Sequence, residues 1–325
     1  MLAVAGLIKG IETLPNRLAS ARKGTIYLPR ALYTSGFVAV LAAFLKQNKV
    51  APGTLAFHHE SNTGYFRAIG LSRAVWGVDD YRLKRKNAAI NYAPLTHLDS
   101  REAVDSATGQ INSCLRKMAK SASYTDSPSF IELTKVVGEL HDNVWSHGLD
   151  SGFSTAQRRQ APDGSGWLLE FALADCGMGF YNELRRARIP NVNTHQQAIE
   201  WCIQEGNSSK LAVQEDPWAQ SVPEDFIGRS PFGPSIGTFV NRGSHHQGLG
   251  LAKLLALAKR YDGTLYLATG DSYLHLHNGE SSYHRLSTDW KGVAVSLTLK
   301  ESNLIADQRP DEADDLADFM NLLRG

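Results

Sequence analysis

Three short runs in this chain carry residue types that could do chemistry together. Ala174-Asp175-Cys176-Gly177-Met178-Gly179 ends an apolar stretch in an acid followed by two glycines, and roughly seventy residues later Gln247-Gly248-Leu249-Gly250-Leu251 opens a second apolar stretch. Glu139-Leu140-His141-Asp142-Asn143 precedes both. Glycines let a backbone approach a ligand with no Cβ in the way, and an acid closing an apolar strand offers a directional acceptor. The first two runs read as the two halves of one nucleotide pocket.

The elements that must hold these runs follow from periodicity. Ile131, Leu133, Val136, Val137, Leu140 and Val144 recur at helical spacing, with Gly148 as the stop. On another stripe of the same helix Glu139, Asn143 and His147 fall at i, i+4 and i+8, so they share a face and can converge on one ligand. Gly152 to Gln160 and Trp167 to Ala174 are expected as two strands joined through Pro162-Asp163-Gly164, the second nearly all apolar, hence buried, and ending in Asp175. Leu249 to Tyr261 is expected as a helix, followed by a strand Thr264 to Thr269, a polar hairpin through His277-Asn278-Gly279 and a strand Gly292 to Lys300. Between the halves runs a long polar stretch, rich in glycine and proline. Its one clear helix is Thr194 to Glu205, with Thr194 and Gln197 spaced as a capping box and Gly206 at its end. A connection of this length, 183–247, is expected to be a lid.

A helix with Glu and Asn, a strand ending Asp-x-Gly-x-Gly, a lid, Gly-Leu-Gly-Leu, a helix and two strands, in this order, resembles the GHKL superfamily of histidine kinase-like ATP-binding domains, the Bergerat fold. The resemblance covers about 128–300 and is closest in style to the bacterial anti-sigma and serine-kinase branch. It implies a two-layer α/β sandwich, here preceded by a smaller α/β domain, that binds ATP and Mg²⁺. Asp175 would accept a hydrogen bond from the exocyclic amine of adenine, with Gly177 and Gly179 passing the turn under the base. Asn143 would hold Mg²⁺ through its carbonyl oxygen, a hard ligand, and Glu139 would be the general base. Gly248, Leu249 and Gly250 would admit phosphates to the amino end of the next helix, with Arg242 and Lys253 as further phosphate contacts. His147 matches an Asn-x-x-x-His variant of the helix motif, or is a helix C-terminal histidine satisfied by carbonyls. The chain departs from the pattern at His246, where a further glycine is common, and at Val293, where several relatives have a hydroxyl residue. Taken without the resemblance, Asp175 also fits an ordinary turn aspartate, Asn143 a solvated helix face and Glu139 an ordinary helical glutamate.

Upstream, a strand Thr25 to Leu28, a helix from about Ser35 to Gln47, a strand Thr54 to Phe57 and a mixed segment Tyr65 to Trp76 suggest a small α/β unit. It is similar in pattern to a STAS-type module, where a strand feeds a helix beginning near a hydroxyl residue, here Thr34 or Ser35. Asp79 to Ala93 reads as charged and irregular. Ser100 to Lys120 reads as a linking helix with Val104, Ala107, Ile111, Cys114, Leu115 and Met118 on one side. The polar loop Ser121 to Ser129 suggests a boundary, giving expected units at 1–120, 128–302 and an acidic tail 303–325.

The 325 residues, 42% hydrophobic and 21% charged, describe a soluble globular protein. The net charge of +1 gives no overall basic field, and the one basic run, Arg82, Lys84, Arg85 and Lys86, has no interleaved aromatics, which speaks against a nucleic-acid partner. Cys114, Cys176 and Cys202 are too few and too scattered for a disulfide framework, so a cytoplasmic setting is expected. The longest apolar stretch, Gly36 to Leu45, is too short to span a bilayer, so no membrane is expected. The histidine pairs His58-His59 and His245-His246, and His275 with His277, lack the carboxylate or thiol that would complete a metal set, leaving Mg²⁺ as the expected ion. Within the resemblance, a sensor kinase would carry a phosphoacceptor histidine on the preceding helix, and Ser100 to Lys120 has none. What remains is a regulatory ATPase or ATP-dependent protein kinase of the serine or histidine type acting on a regulatory protein partner. The alternative is an ATP-gated binding module without turnover.

Overall fold

A computed structural model of the chain describes residues 3–21, 24–121, 125, 127–148, 151–207 and 250–306. Its first elements are β1 (Val4–Ala5), α1 (Leu7–Ala19), β2 (Ile26–Leu28), β3 (Leu32–Tyr33), α2 (Ser35–Gln47), β4 (Leu55–Phe57), α3 (Glu60–Ile69) and α4 (Leu71–Trp76). There follow β5 (Tyr92–Leu98), α5 (Arg101–Ser121), α6 (Pro128–Gly148), β6 (Gly152–Gln160), β7 (Trp167–Asp175), α7 (Gly179–Arg186) and α8 (His195–Cys202). The last are α9 (Gly250–Arg260), β8 (Thr264–His277), β9 (Glu280–Lys300) and α10 (Glu301–Ala306).

The fold is a mixed α/β sandwich built on one antiparallel sheet of order β5-β6-β7-β9-β8. Strand alternation sends Leu169, Phe171 and Leu173 of β7 to one face and Glu170, Ala172 and Ala174 to the other, and all six are buried. The first set joins Leu265, Leu267, Val295 and Leu297 under α5, α6 and α9. These helices present the stripes expected of them, among them Val104, Ile111, Leu115 and Met118 from α5, and Val136, Val137, Leu140 and Val144 from α6. Ile131, which the same spacing placed in the stripe, is exposed.

The second face is covered by the N-terminal elements. Every residue from Ser35 to Leu45 of α2 is buried, as befits a helix apolar all round. It lies over Ala172, Ala174, Ala268 and Ala294, small side chains that let a helix approach the sheet closely. Gly36 marks the crossing, since a Cβ there would stand 2.9 Å from Leu7 Cβ and 3.0 Å from Ser296 Cβ. Polar groups complete the seat. The buried Glu170 carboxylate accepts from Ser35 N (3.0 Å), Gln157 Nε2 (2.6 Å) and Arg159 Nε (2.7 Å), placing an anion at the amino end of α2. Thr34 Oγ1 accepts from Phe37 N at the same end. The Tyr65 hydroxyl donates to Gln157 Oε1 (2.8 Å), and burial raises its pKa.

Tyr92 and Ala93, the end of the stretch expected to be irregular, open the edge strand β5, which is paired with β6 and bulged between Ala93 and Thr96 beside Pro94. The expected linking helix α5 packs beside α6 on the same sheet and holds it through Thr108 Oγ1, 2.8 Å from His141 Nδ1. The suggested boundary at 121–128 thus falls between two neighbouring helices of one layer. The upstream α/β unit shares its core with the sheet, and its own strands form only two parallel pairs, β1 with β3 and β2 with β4. The segment 208–249, most of the expected lid, and 307–325, most of the acidic tail, lie outside the described residues. Among the described residues no helix is long and apolar enough to cross a membrane.

Candidate functional site

At the Gly152 and Asp175 end of the sheet the strands and helices part around a cleft of about 870 Å³, solvent at its mouth included. Its walls are Leu140, Asn143 and Val144 from α6, Leu173 and Asp175 from β7, and Val293 and Val295 from β9. Met178 through Phe180, Glu183 and Leu184 line one side, Trp201, Cys202 and Asn207 another, and Gly250 and Leu251 of α9 close the far end. A mostly apolar cleft with a few convergent polar groups has the character of a site for a small organic ligand.

Asp175 is the most constrained polar group in it. Its Oδ1 accepts from Gly177 N (2.8 Å) and Val293 N (3.1 Å), so two backbone donors orient a carboxylate that is 7% exposed. The turn beneath depends on two glycines in left-handed conformations. Gly292 has φ +102°, and a Cβ there would overlap Asp175 O and stand 2.6 Å from its Oδ1. Gly179 has φ +76°, and its Cβ would stand 2.7 Å from Thr269 Oγ1. Thr269, buried at the end of the regular part of β8, fastens both turns: its hydroxyl donates to Gly292 O (2.8 Å) and accepts from Phe180 N (3.3 Å).

Asn143 lines the cleft directly across from α9, where a Cβ on Gly250 would stand 3.8 Å from Asn143 Nδ2 and 3.2 Å from Glu139 Cβ. Glu139, one helical turn back and buried, receives Lys253 Nζ on its Oε1 at 2.7 Å. Lys253 therefore stands on a carboxylate of α6, and neither partner forms part of the cleft wall. His141, between them in sequence, faces the sheet. It bridges Thr108 Oγ1 and Ser154 Oγ, each at 2.8 Å, and burial drives its pKa down to about 3, so it is a neutral structural link.

The structure brings together Asn143, Asp175, Gly179 and Gly250 around one cleft. Gly177 contributes its N–H to Asp175 rather than a wall, and Glu139 and Lys253 lie beside the cleft as a pair. Gly248, Leu249, Arg242 and His246 lie outside the described residues, as does the side chain of His147. Thr194 Oγ1 caps α8 by accepting from Gln197 N (3.1 Å), while Gln197 Oε1 accepts from Asn193 N (2.8 Å), so the expected capping spacing holds.

Sequence reasoning singled out Val293 only for lacking a hydroxyl; its contribution is a backbone N–H and so independent of side-chain type. Sequence reasoning missed Thr269, the apolar wall of Phe180 and Trp201, and the backing of the site. That backing is α2: Cys176 Sγ lies 3.7 Å from Ala43 O, and Gln47 Nε2 donates to Lys291 O at 2.7 Å. Among the described residues no group of three or more His, Cys, Asp or Glu could hold a metal ion. His275 instead stacks on Tyr266, with ring centroids 4.4 Å apart, and His59 caps α3 by accepting from Ser61 N. No protein-family model, curated protein or solved structure matches the chain.

Proposed function

We propose that this protein binds ATP in the cleft between α6, β7 and α9 and either hydrolyses it or passes its terminal phosphate to a regulatory protein. The observation that carries the proposal is Asp175: a nearly buried carboxylate, aimed by two backbone N–H groups, at the wall of a mostly apolar cleft. A carboxylate held in this way can accept a hydrogen bond from an exocyclic amine, and so can favour bases that offer one. The triphosphate would run toward Gly250, where the amino end of α9 favours anions and Asn143 stands opposite.

The donor set fits Mg²⁺ in one respect: Asn143, whose side chain carries an amide oxygen, stands at the cleft wall. When bound, the ion would neutralise phosphate charge and leave the remaining contacts to water and phosphate oxygens. Glu139 would take the proton from the attacking water or hydroxyl, after Lys253 leaves it for phosphate.

One observation favours a second reading, an ATP-gated binding module without turnover. The carboxylate that would act as base is engaged by an ammonium at 2.7 Å. Calorimetry with ATP, ADP and GTP on the wild type and on Asp175→Ala tests the shared premise, with adenine selectivity lost in the variant. Turnover of labelled ATP, with Glu139→Ala and Asn143→Ala as controls, separates the two readings. A wild type that ignores adenine nucleotides overturns both.

A further inference from the structure

A second surface lies at the other end of the sheet. The 77–91 loop leads into β5, whose first residue Tyr92 pairs with Gln157, five positions along β6 from the Gly152 end that borders the cleft. The loop is folded round Arg85. Its guanidinium takes both oxygens of Asp79, at 2.6 and 2.9 Å, its Nε donates to Ala68 O at 2.8 Å, and it lies 5.1 Å from the Tyr81 ring centroid. The other acid of the loop, Asp80, is taken by Ser72 and Arg67. Arg82, Lys84 and Lys86 are left without an ion pair among the described residues. Between them Leu83 is 71% exposed, with Ile90 at 51% and Val78 at 57%. Single exposed apolar residues are ordinary, but a leucine held out between two uncompensated cations on a braced loop has the character of a contact surface, apolar at its centre and cationic around it.

The chain contains a segment of complementary composition. Asp311, Glu312, Asp314, Asp315 and Asp318 are interleaved with Leu316, Phe319, Met320 and Leu323, whose spacing would align them on one side of a helix. This segment lies outside the described residues, but its point of attachment does not. β9 ends at Lys300 opposite Leu168, at the end of β7 away from Asp175, and Glu301 then receives Arg158 Nε at 2.7 Å. Arg158 N donates in turn to Asn91 O at 2.6 Å. The chain therefore enters α10 near the end of the loop that carries the cations, which stand five to nine residues before Asn91. A short tether between complementary surfaces gives an effective concentration on the order of millimolar, so weak contacts suffice.

We propose that 311–323 docks on the 77–91 loop of the same chain, its acids against Arg82, Lys84 and Lys86 and its apolar residues against Leu83 and Ile90. The inference is independent of the nucleotide reading.

Zero-length carbodiimide cross-linking of the full chain, followed by peptide mass spectrometry, tests it. Amide links between Lys84 or Lys86 and the acids from Asp311 to Asp318 are expected. They should form within single molecules when light and heavy isotopic copies are mixed. They should be lost in the K84E/K86E variant and regained when D314K/D315K/D318K is added to it. That charge swap separates docking from a folding defect, because a misfolded loop would not be rescued by the tail. Links from the tail acids to other lysines only, links between copies, or no effect of charge reversal would each overturn the proposal.

Discussion

Lys253 Nζ and Glu139 Oε1 stand 2.7 Å apart and tie the first turns of α9 to the middle of α6. The pair couples the helix that opens at Gly250 to the helix that presents Asn143, so it sets the spacing of the two sides that would grip a polyphosphate. With Lys253 one-third exposed, solvent screens much of the attraction. A double-mutant cycle with Lys253→Met and Glu139→Gln is expected to give a coupling energy of about 0.5–1 kcal/mol in chemical denaturation. If Lys253 leaves Glu139 for phosphate, Glu139→Gln should also tighten ATP more than ADP. That preference should vanish when Lys253 is replaced as well. Equal tightening of both nucleotides would show that Lys253 does not reach the terminal phosphate.

Gly292 tests the carboxylate cradle. Gly292→Ala meets both a left-handed φ and overlap with the backbone of Asp175, so a loss of about 3 kcal/mol is expected, together with loss of adenine-nucleotide affinity. Gly164→Ala is the control: its φ is +74° but nothing lies within 4 Å, so about 1 kcal/mol is expected and binding is retained. Thermal unfolding and calorimetry on the two variants decide the matter. Similar losses in both would mean that the cradle does not depend on close approach.

His141 gives stability a pH dependence. Burial holds its folded pKa at about 3, below the ordinary 6.5, so the unfolded chain takes up a proton that the folded one excludes. Its contribution is complete above about pH 6.5 and shrinks as pH falls toward 3, at about 1.4 kcal/mol per pH unit. Urea unfolding at pH 7 and pH 5 should therefore differ by about 2 kcal/mol from this group alone. His141→Asn should remove that share of the difference. An unchanged difference in the variant would mean that the imidazole titrates normally in the folded chain.

Gly36 tests whether the N-terminal elements are an integral layer. A valine there would press on Leu7 and Ser296 at the crossing of α2 with β9, so a cost of about 2 kcal/mol or more is expected. Limited proteolysis should then release the N-terminal segment first, and dye binding to newly exposed apolar surface should rise. Resistance to protease equal to that of the wild type would contradict a close-packed crossing.

Much of this architecture was legible where a local signal sufficed. The run from Thr34 to Asn48 fixed α2 because a hydroxyl cap precedes an unbroken apolar stretch, and the α5 stripe from Val104 to Met118 read correctly from its period. The apolar run ending in Asp175 marked a strand buried on both faces. Other elements were hidden by residues that contradict their own state. α1 carries Gly10 and Pro15, and the glycine is explained by its contact with α2, where Val40 Cγ1 and Phe37 Cδ2 would stand 3.1 and 3.3 Å from a Cβ. β5 contains Pro94 at an edge bulge, and β8 and β9 run on beyond Thr269 and before Gly292 to the hairpin expected at His277-Asn278-Gly279, their lengths masked by the break at Gly270. Of the site, residue types at Asp175, Asn143 and Gly250 drew attention from sequence. The Val293 N–H, the Thr269 clasp and the partner of Lys253 could not, because each is a contact across the fold rather than a local pattern.

The helix α2 touches the turns on both sides of the Asp175 carboxylate, its Ala43 O accepting from the Cys176 thiol and its Gln47 Nε2 donating to the carbonyl of Lys291. Those two turns supply the N–H groups that aim it, from Gly177 and Val293. A shift of the rear helix would therefore move both turns, and with them the acid at the front. The amino-terminal third of the chain is thereby geared to the cleft rather than merely attached behind it.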